Sequence, residues 1–274
     1  MKLRVVPART GAQWVREGLR LFFKQPLAFA ALFFVFIAFG QLASYVPVAG
    51  EFVFLALAPA FTVGMMAASR TVESGSFPLP GLLLTAFRAS PANTRAMLVL
   101  GALYAGAGLL IEGIASLIGD GSNVAALLAA KGGQLTPEVM KDPVIQEAVR
   151  ASMHRMMLSM LLFLPVSVLF WHAPALVHWY QVPVVKSLFF SAVGVLRNTG
   201  AYIVFFMGWA MVTMLALLAL MLVAGMLGNL NIVMGGMLPV SLAITTMMLA
   251  SLWATFRDTF DVSDVPVQGS SPTP

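Results

Sequence analysis

Glu112 is the one acidic residue set deep in an apolar run, "YAGAGLLIEGIASL". It stands about five residues outward of that run's midpoint, or about 7 Å at helical rise. A charge near a bilayer centre costs several kcal/mol by insertion scales, so such a group is the first suspect for chemistry. One reading makes it a proton-coupling or substrate-binding carboxylate. The other pairs it with Arg155 or His154 at the outer end of the next run, or lets it snorkel to the interface, and its off-centre place favours this second reading.

Two further clusters have reactive residue types. "MHRMMLSM" brings together Met153, His154, Met156, Met157 and Met160. Thioethers beside an imidazole suit Cu(I). Yet the chain holds 18 methionines, many scattered through apolar runs, and Met is also an adaptable filler between helices, which is the preferred reading. His172 and His178 are about 240° apart on a helix and cannot share a metal as an i, i+4 pair would. With Trp171, Trp179 and Tyr180 they make "WHAPALVHWY", which reads as an aromatic belt at the cytoplasmic interface.

The chain has no cysteine, which excludes disulfides, thiolate metal sites and thiol nucleophiles. HExxH, GxSxG and P-loop patterns are absent, and every Asp lies outside the apolar runs. No catalytic residue, cofactor or metal is therefore expected. A membrane enzyme would need polar groups gathered at one interface, around Arg70, Arg88, His172 and His178.

The elements that would hold these residues are membrane helices. Of the 274 residues, 59% are hydrophobic and 10% charged, and the mean hydropathy is +0.90; soluble domains average about 25% charged. Crossing a hydrocarbon core takes roughly 20 apolar residues. Runs of that length predict spans at 26–46, 48–69, 96–118, 156–177, 201–227 and 232–256. The expected fold is all-α, a polytopic bundle of six transmembrane helices in three hairpins forming one domain over 1–256. A polar outer loop, 119–155, separates the third and fourth spans, and residues 257–274 form an acidic, then Pro/Ser-rich, disordered cytoplasmic tail. In the outer loop, Thr136, Pro137 and Glu138 suggest a helix start, and Pro143 a restart running into the fourth span.

Twelve of the 16 Lys and Arg fall in alternate segments that would share one side, against four in the outer loop. The positive-inside rule then puts both termini in the cytoplasm. The basic N-region is too long, and the first apolar run too extended, for a cleaved signal peptide.

Each hairpin is preceded by an amphipathic stretch. "QWVREGLRLFFKQP" aligns Arg16, Arg20 and Lys24 opposite Trp14, Val15, Leu19, Leu21, Phe22 and Phe23. "KSLFFSAVGVLRNTG" sets Lys186, Ser187, Ser191, Gly194, Arg197 and Asn198 against Leu188, Phe189, Ala192, Val193, Val195 and Leu196. A weaker version, "LPGLLLTAFRASP", carries Arg88. The pattern is that of helices lying in the interface with charges wet and aromatics sunk. Arg16, Arg20, Lys24, Arg88, Lys186 and Arg197 are thus the expected lipid-headgroup contacts. The second span of each hairpin carries a proline, Pro59, Pro165 or Pro239, and "LPVS" occurs at both 164–167 and 238–241. The small-residue run "GALYAGAG" from Gly101 to Gly108 offers the pairs Gly101/Ala105 and Ala102/Gly106 for close helix packing, within the chain or in a homo-oligomer.

The segments "PVAGEFVFLALAPAFTVGMMAASRTVESG", "WVREGLRLFFKQP" and above all "APALVHWYQVPVVKSLFFSAVGVLRNTGAYIVF" resemble an uncharacterised family of six-helix inner-membrane proteins from beta-proteobacteria. The resemblance implies a fold and a location but no catalytic residues. More distantly, an interfacial helix before each hairpin is similar to the membrane domain of some glycerophosphodiester phosphodiesterases, in architecture alone. The expectation is an integral inner-membrane protein without intrinsic catalysis, a structural or lipid-associated envelope component. Its expected partners are anionic membrane lipids rather than nucleic acid. The alternative is a small-solute transporter or channel built on Glu112 and the proline-kinked helices.

Overall fold

The computed structural model describes residues 2–118, 126–127, 139, 141–229 and 231–261. Among these the chain is helical, with one isolated antiparallel bridge between Leu3 and Phe260. The helices are α1 (Thr10–Lys24), α2 (Pro26–Ala43), α3 (Ala49–Glu73), α4 (Thr85–Arg88, after a 3-10 turn at Pro80–Leu84), α5 (Pro91–Ile118), α6 (Pro143–Phe170), α7 (Ala173–Tyr180), α8 (Val184–Arg197), α9 (Thr199–Met226), α10 (Asn231–Ala250) and α11 (Leu252–Thr259). Six stretches are long and apolar enough to cross a membrane, so the fold is a polytopic all-α bundle.

Prolines set several of the boundaries. Pro26, Pro91 and Pro143 each open a helix, where a missing N–H costs nothing and the fixed φ suits the first turn. Asp142 caps α6 by accepting from the Val144 N–H at 2.8 Å. That helix then runs unbroken for 28 residues, so the restart expected at Pro143 does continue into the fourth crossing helix and takes in residues 143–155 of the outer loop. At its other end the helix stops at Phe170, not Val177, and the chain bends at Trp171–His172 into α7. The sixth likewise stops at Ala250 and bends into α11. The proposed helix start at Thr136, Pro137 and Glu138 and the tail 262–274 lie outside the described residues.

Helix α3 is the hub. It packs on α2, α5 and α10, while α5 packs on α6 and α9 on α10. In α3, 56% of the most apolar window is buried, against 11% in α9 and α10, so the last hairpin turns most of its surface outward. Helices α1 and α8, with 15 and 14 residues, measure about 21–23 Å at 1.5 Å per residue, too short for a core of about 30 Å. Neither crosses.

The role of α1 differs from expectation. Its apolar stripe does not sink into lipid; it packs on α9 and α10. Trp14 is fully buried and lies 5.3 Å, ring to ring, from Tyr202. Gly11 permits the contact, since a Cβ there would stand 2.0 Å from the Ala201 carbonyl oxygen. Amphipathicity reports that a helix has an apolar partner without saying whether that partner is lipid or protein. Of the predicted apolar set, Phe23 faces outward.

Candidate functional site

The segments before the first span, between the second and third, between the fourth and fifth, and after the sixth touch one another, so they share one face. Arg257 of α11 makes the central contact. Its Nη1 and Nη2 donate to the two carboxylate oxygens of Glu17 on α1 at 3.0 Å each, and Nη1 also reaches Glu73 at the end of α3 at 2.5 Å. Asp258 accepts from Arg257 Nε at 3.1 Å and from Trp14 Nε1 at 2.9 Å. Trp253 Nε1 donates to Glu73 at 2.8 Å, and the Arg70 guanidinium lies 5.4 Å over the Trp253 ring. Fork-shaped guanidinium–carboxylate pairs of this kind fix geometry as well as charge.

The N-terminal segment is tied to the same face. Asn198, which caps α8, accepts from the Val6 N–H at 2.7 Å and donates to the Arg4 and Gly194 carbonyls at 3.1 and 2.9 Å. Arg4 pairs with Asp261 at 3.1 Å, the Asp261 N–H donates to the Lys2 carbonyl, and Tyr180 donates to the Asp261 carbonyl.

These contacts have an electrostatic consequence. On this face Glu17, Glu73, Asp258 and Asp261 are each held by an arginine of the same chain. Arg16, Lys24, Arg88, Arg95, Lys186 and Arg197 are exposed and make no ion pair among the described residues. Arg20 shares Glu17 at 3.5 Å. The result is a rim of cations whose acids have been withdrawn inward.

Helix α8 carries part of this rim, though the small polar residues of its predicted wet face are buried. Ser187 and Ser191 are fully buried and Asn198 nearly so, while Val185, Phe189 and Leu196 are exposed. Ser191 Oγ accepts from the His172 N–H at 2.9 Å and donates to the Val168 carbonyl at 3.0 Å. Small hydroxyls satisfied in this way pack like alanine, so a stripe that reads as wet on a helical wheel serves as the packing face. Lys186 and Arg197 stay exposed at its two ends.

The histidines are not an interfacial belt. His172 is fully buried, with Nε2 at 2.6 Å from the Tyr202 hydroxyl and Phe256 and Phe260 against its ring. His178 is buried too, its Nδ1 at 3.2 Å from Asn93 Nδ2. The bend at Trp171–His172 turns this segment into the bundle, which a continuous helical wheel does not anticipate.

Glu112 forms an ion pair with Arg155 between α5 and α6, both side chains partly exposed. Met153, His154, Met156, Met157 and Met160 are exposed along α6, the four methionines sharing one outward stripe. No group of three His, Asp or Glu residues with metal-binding geometry occurs among the described residues. Gly101 sits on the Ala56 backbone and Ala105 is buried, whereas Gly106 has open space around it and Ala102 is exposed. The first small-residue pair therefore packs α5 on α3 within the chain, and the second faces outward. A half-open cavity of about 210 Å³ lies between α3, α5, α6 and α10, lined by Pro59, Tyr104, Phe163, Trp171 and Leu249 among others. Glu112 is not in its wall, and the hydroxyls of Thr62 and Ser167 that face it are spent on carbonyls of their own helices.

Six apolar crossings, an all-helical bundle and a cationic rim on the termini-bearing face define an integral, multi-pass membrane protein. The chain is 35% identical over 266 residues, 96% of each protein, to a probable inner membrane protein of Burkholderia thailandensis, and it belongs to that protein's family. No family model matches the chain, and no solved structure matches it.

Proposed function

We propose that this protein is a non-catalytic, lipid-engaging structural component of the bacterial inner membrane, with both termini and the cationic rim in the cytoplasm. One observation carries the reading: among the described residues the acids of the termini-bearing face are neutralised within the chain, while cations around them, Arg16, Lys24, Arg88, Arg95, Lys186 and Arg197 among them, are exposed and make no ion pair. A basic segment beside an anionic leaflet gains about 1 kcal/mol per Lys or Arg near the surface. The exposed apolar strip of α8 between Lys186 and Arg197 is what a helix half-sunk in headgroups presents. The Burkholderia relative, described as an inner membrane protein, supports the location. The architectural likeness to the membrane domain of glycerophosphodiester phosphodiesterases contributes no residue to this reading.

The test replaces Arg16, Arg20, Lys186 and Arg197 together with Gln. The purified variant is expected to carry several-fold less anionic phospholipid than the wild type at equal fold. Unchanged lipid co-purification dismisses the role.

The transporter reading finds less support. Its central carboxylate is bound to Arg155, and the cavity beside the Pro59 kink does not include it.

A further inference from the structure

We infer that the start of α5 holds a discrete binding pocket for the phosphodiester headgroup of an anionic phospholipid, built by Arg88, Ser90 and Arg95. This rests on the lipid-engaging reading and narrows it to one pocket. The concavity, about 550 Å³, is lined by Phe87, Arg88, Ser90, Thr94, Arg95 and Leu98, with Ala89 and Pro91 completing it. Both guanidiniums are exposed and make no ion pair among the described residues. Arg88 and Arg95 are seven residues apart, across the turn between α4 and α5, and the cavity brings them to one mouth. Fork-shaped donors of this kind match phosphate oxygens.

The hydroxyl of Ser90 adds a third donor. Its oxygen accepts from the Asn93 N–H at 3.1 Å, which leaves its proton to give. The positive end of the α5 dipole adds to the two full charges. Leu98, exposed one turn further into the span, and half-buried Phe87 offer an apolar wall. That wall is what separates a lipid from free phosphate, because a glycerol backbone and the first acyl methylenes must pass over it.

A second, independent feature points to a ligand. An adjoining cavity of about 160 Å³ shares Ser90 and is lined by Asn93, Gln181 and Pro183. Asn93 is 4% exposed, and its Nδ2 is spent on the Ala86 carbonyl at 3.2 Å and on His178 Nδ1. Its Oδ1 is buried and has no hydrogen-bond partner among the described residues. A buried acceptor left unmet is costly, and a headgroup hydroxyl, such as the terminal glycerol of phosphatidylglycerol, would supply the missing donor.

The experiment is native mass spectrometry of the delipidated full chain titrated with dioleoylphosphatidylglycerol. Wild type is expected to retain one tightly held lipid. The double variant Arg88→Gln, Arg95→Gln should hold it about tenfold more weakly or worse, as lost charge-assisted hydrogen bonds imply. Ser90→Ala should weaken it less, and Arg150→Gln, at an exposed position paired only with Glu147, should leave it intact. If the double variant fails to fold, Arg95→Gln alone decides. Equal retention in the variant overturns the pocket, and so does competition by inorganic phosphate at the lipid's own concentration. Loss of bulk anionic lipid from the four-Gln rim variant, with lipid retained in Arg88→Gln, Arg95→Gln, sinks the pocket and leaves the rim; the opposite pattern sinks the rim and leaves the pocket.

Discussion

Arg257 grips Glu17 with both terminal nitrogens, 3.0 Å to each carboxylate oxygen, although 240 residues of chain separate them. This contact joins the first helix to the last and, through Glu73, to the inner end of the hub helix. The side chains are 27% and 15% exposed, so the pair is partly shielded from solvent and removing one partner strands the other.

Arg257→Leu leaves Glu17 and Glu73 without their cation and is expected to destabilise the fold by roughly 1–3 kcal/mol, after allowance for the solvent that still screens the pair. Glu17→Gln should cost less, because Glu73 and Asp258 still hold Arg257. A double-mutant cycle read by thermal unfolding in detergent measures the coupling; no coupling contradicts the clasp.

Gly101 and Gly106 should respond oppositely to enlargement. A Cβ at Gly101 would stand 2.1 Å from the Ala56 carbonyl oxygen, while Gly106 has nothing within 4 Å. Gly101→Leu is expected to cost about 1–3 kcal/mol or more by overpacking, and Gly106→Leu to leave monomer stability unchanged. Light scattering on Gly106→Leu also tests a homo-oligomer through the Ala102/Gly106 face: a loss of association supports it, and an unaltered mass counts against it.

Asn198→Ala removes the acceptor of the Val6 N–H and the donor to Arg4. Hydrogen exchange should accelerate at residues 4–6 while the α9 core keeps its protection. Equal protection in variant and wild type would show that the N-terminal segment is held by other means.

With its carboxylate paired to Arg155, Glu112→Gln should fold and leave proton flux in proteoliposomes at the wild-type level. Flux in the wild type that Glu112→Gln abolishes would restore the transporter reading.

The crossing helices were legible because their signal is strong: uninterrupted apolar runs of spanning length, parted by Pro, Gly and charge. The amphipathic stretches at α1 and α8 were legible as helices, but not as to what they touch. Trp14 and Phe22 needed an apolar partner, and the sequence does not say whether lipid or α9 supplies it. Ser187, Ser191 and Asn198 look hydrophilic by type yet are buried, because each spends its polarity on a nearby backbone group. The clasp was hidden for another reason. Arg257, Glu17 and Glu73 are ordinary surface charges until the fold joins the two ends of the chain, and no local spacing encodes that. For Arg88 and Arg95 the seven-residue interval was visible, but the turn between them was not.

The most direct test of the account is the side on which the basic face lies, and the absence of cysteine makes it clean. Single cysteines placed at Arg16, Ser76, Arg197, Glu51 and Glu147 would be probed with a membrane-impermeant maleimide in spheroplasts whose outer membrane is opened. The account predicts labelling at Glu51→Cys and Glu147→Cys, and protection of the other three until the inner membrane is permeabilised. Labelling of Arg16→Cys, Ser76→Cys or Arg197→Cys in sealed spheroplasts would place the rim on the wrong leaflet and contradict the account.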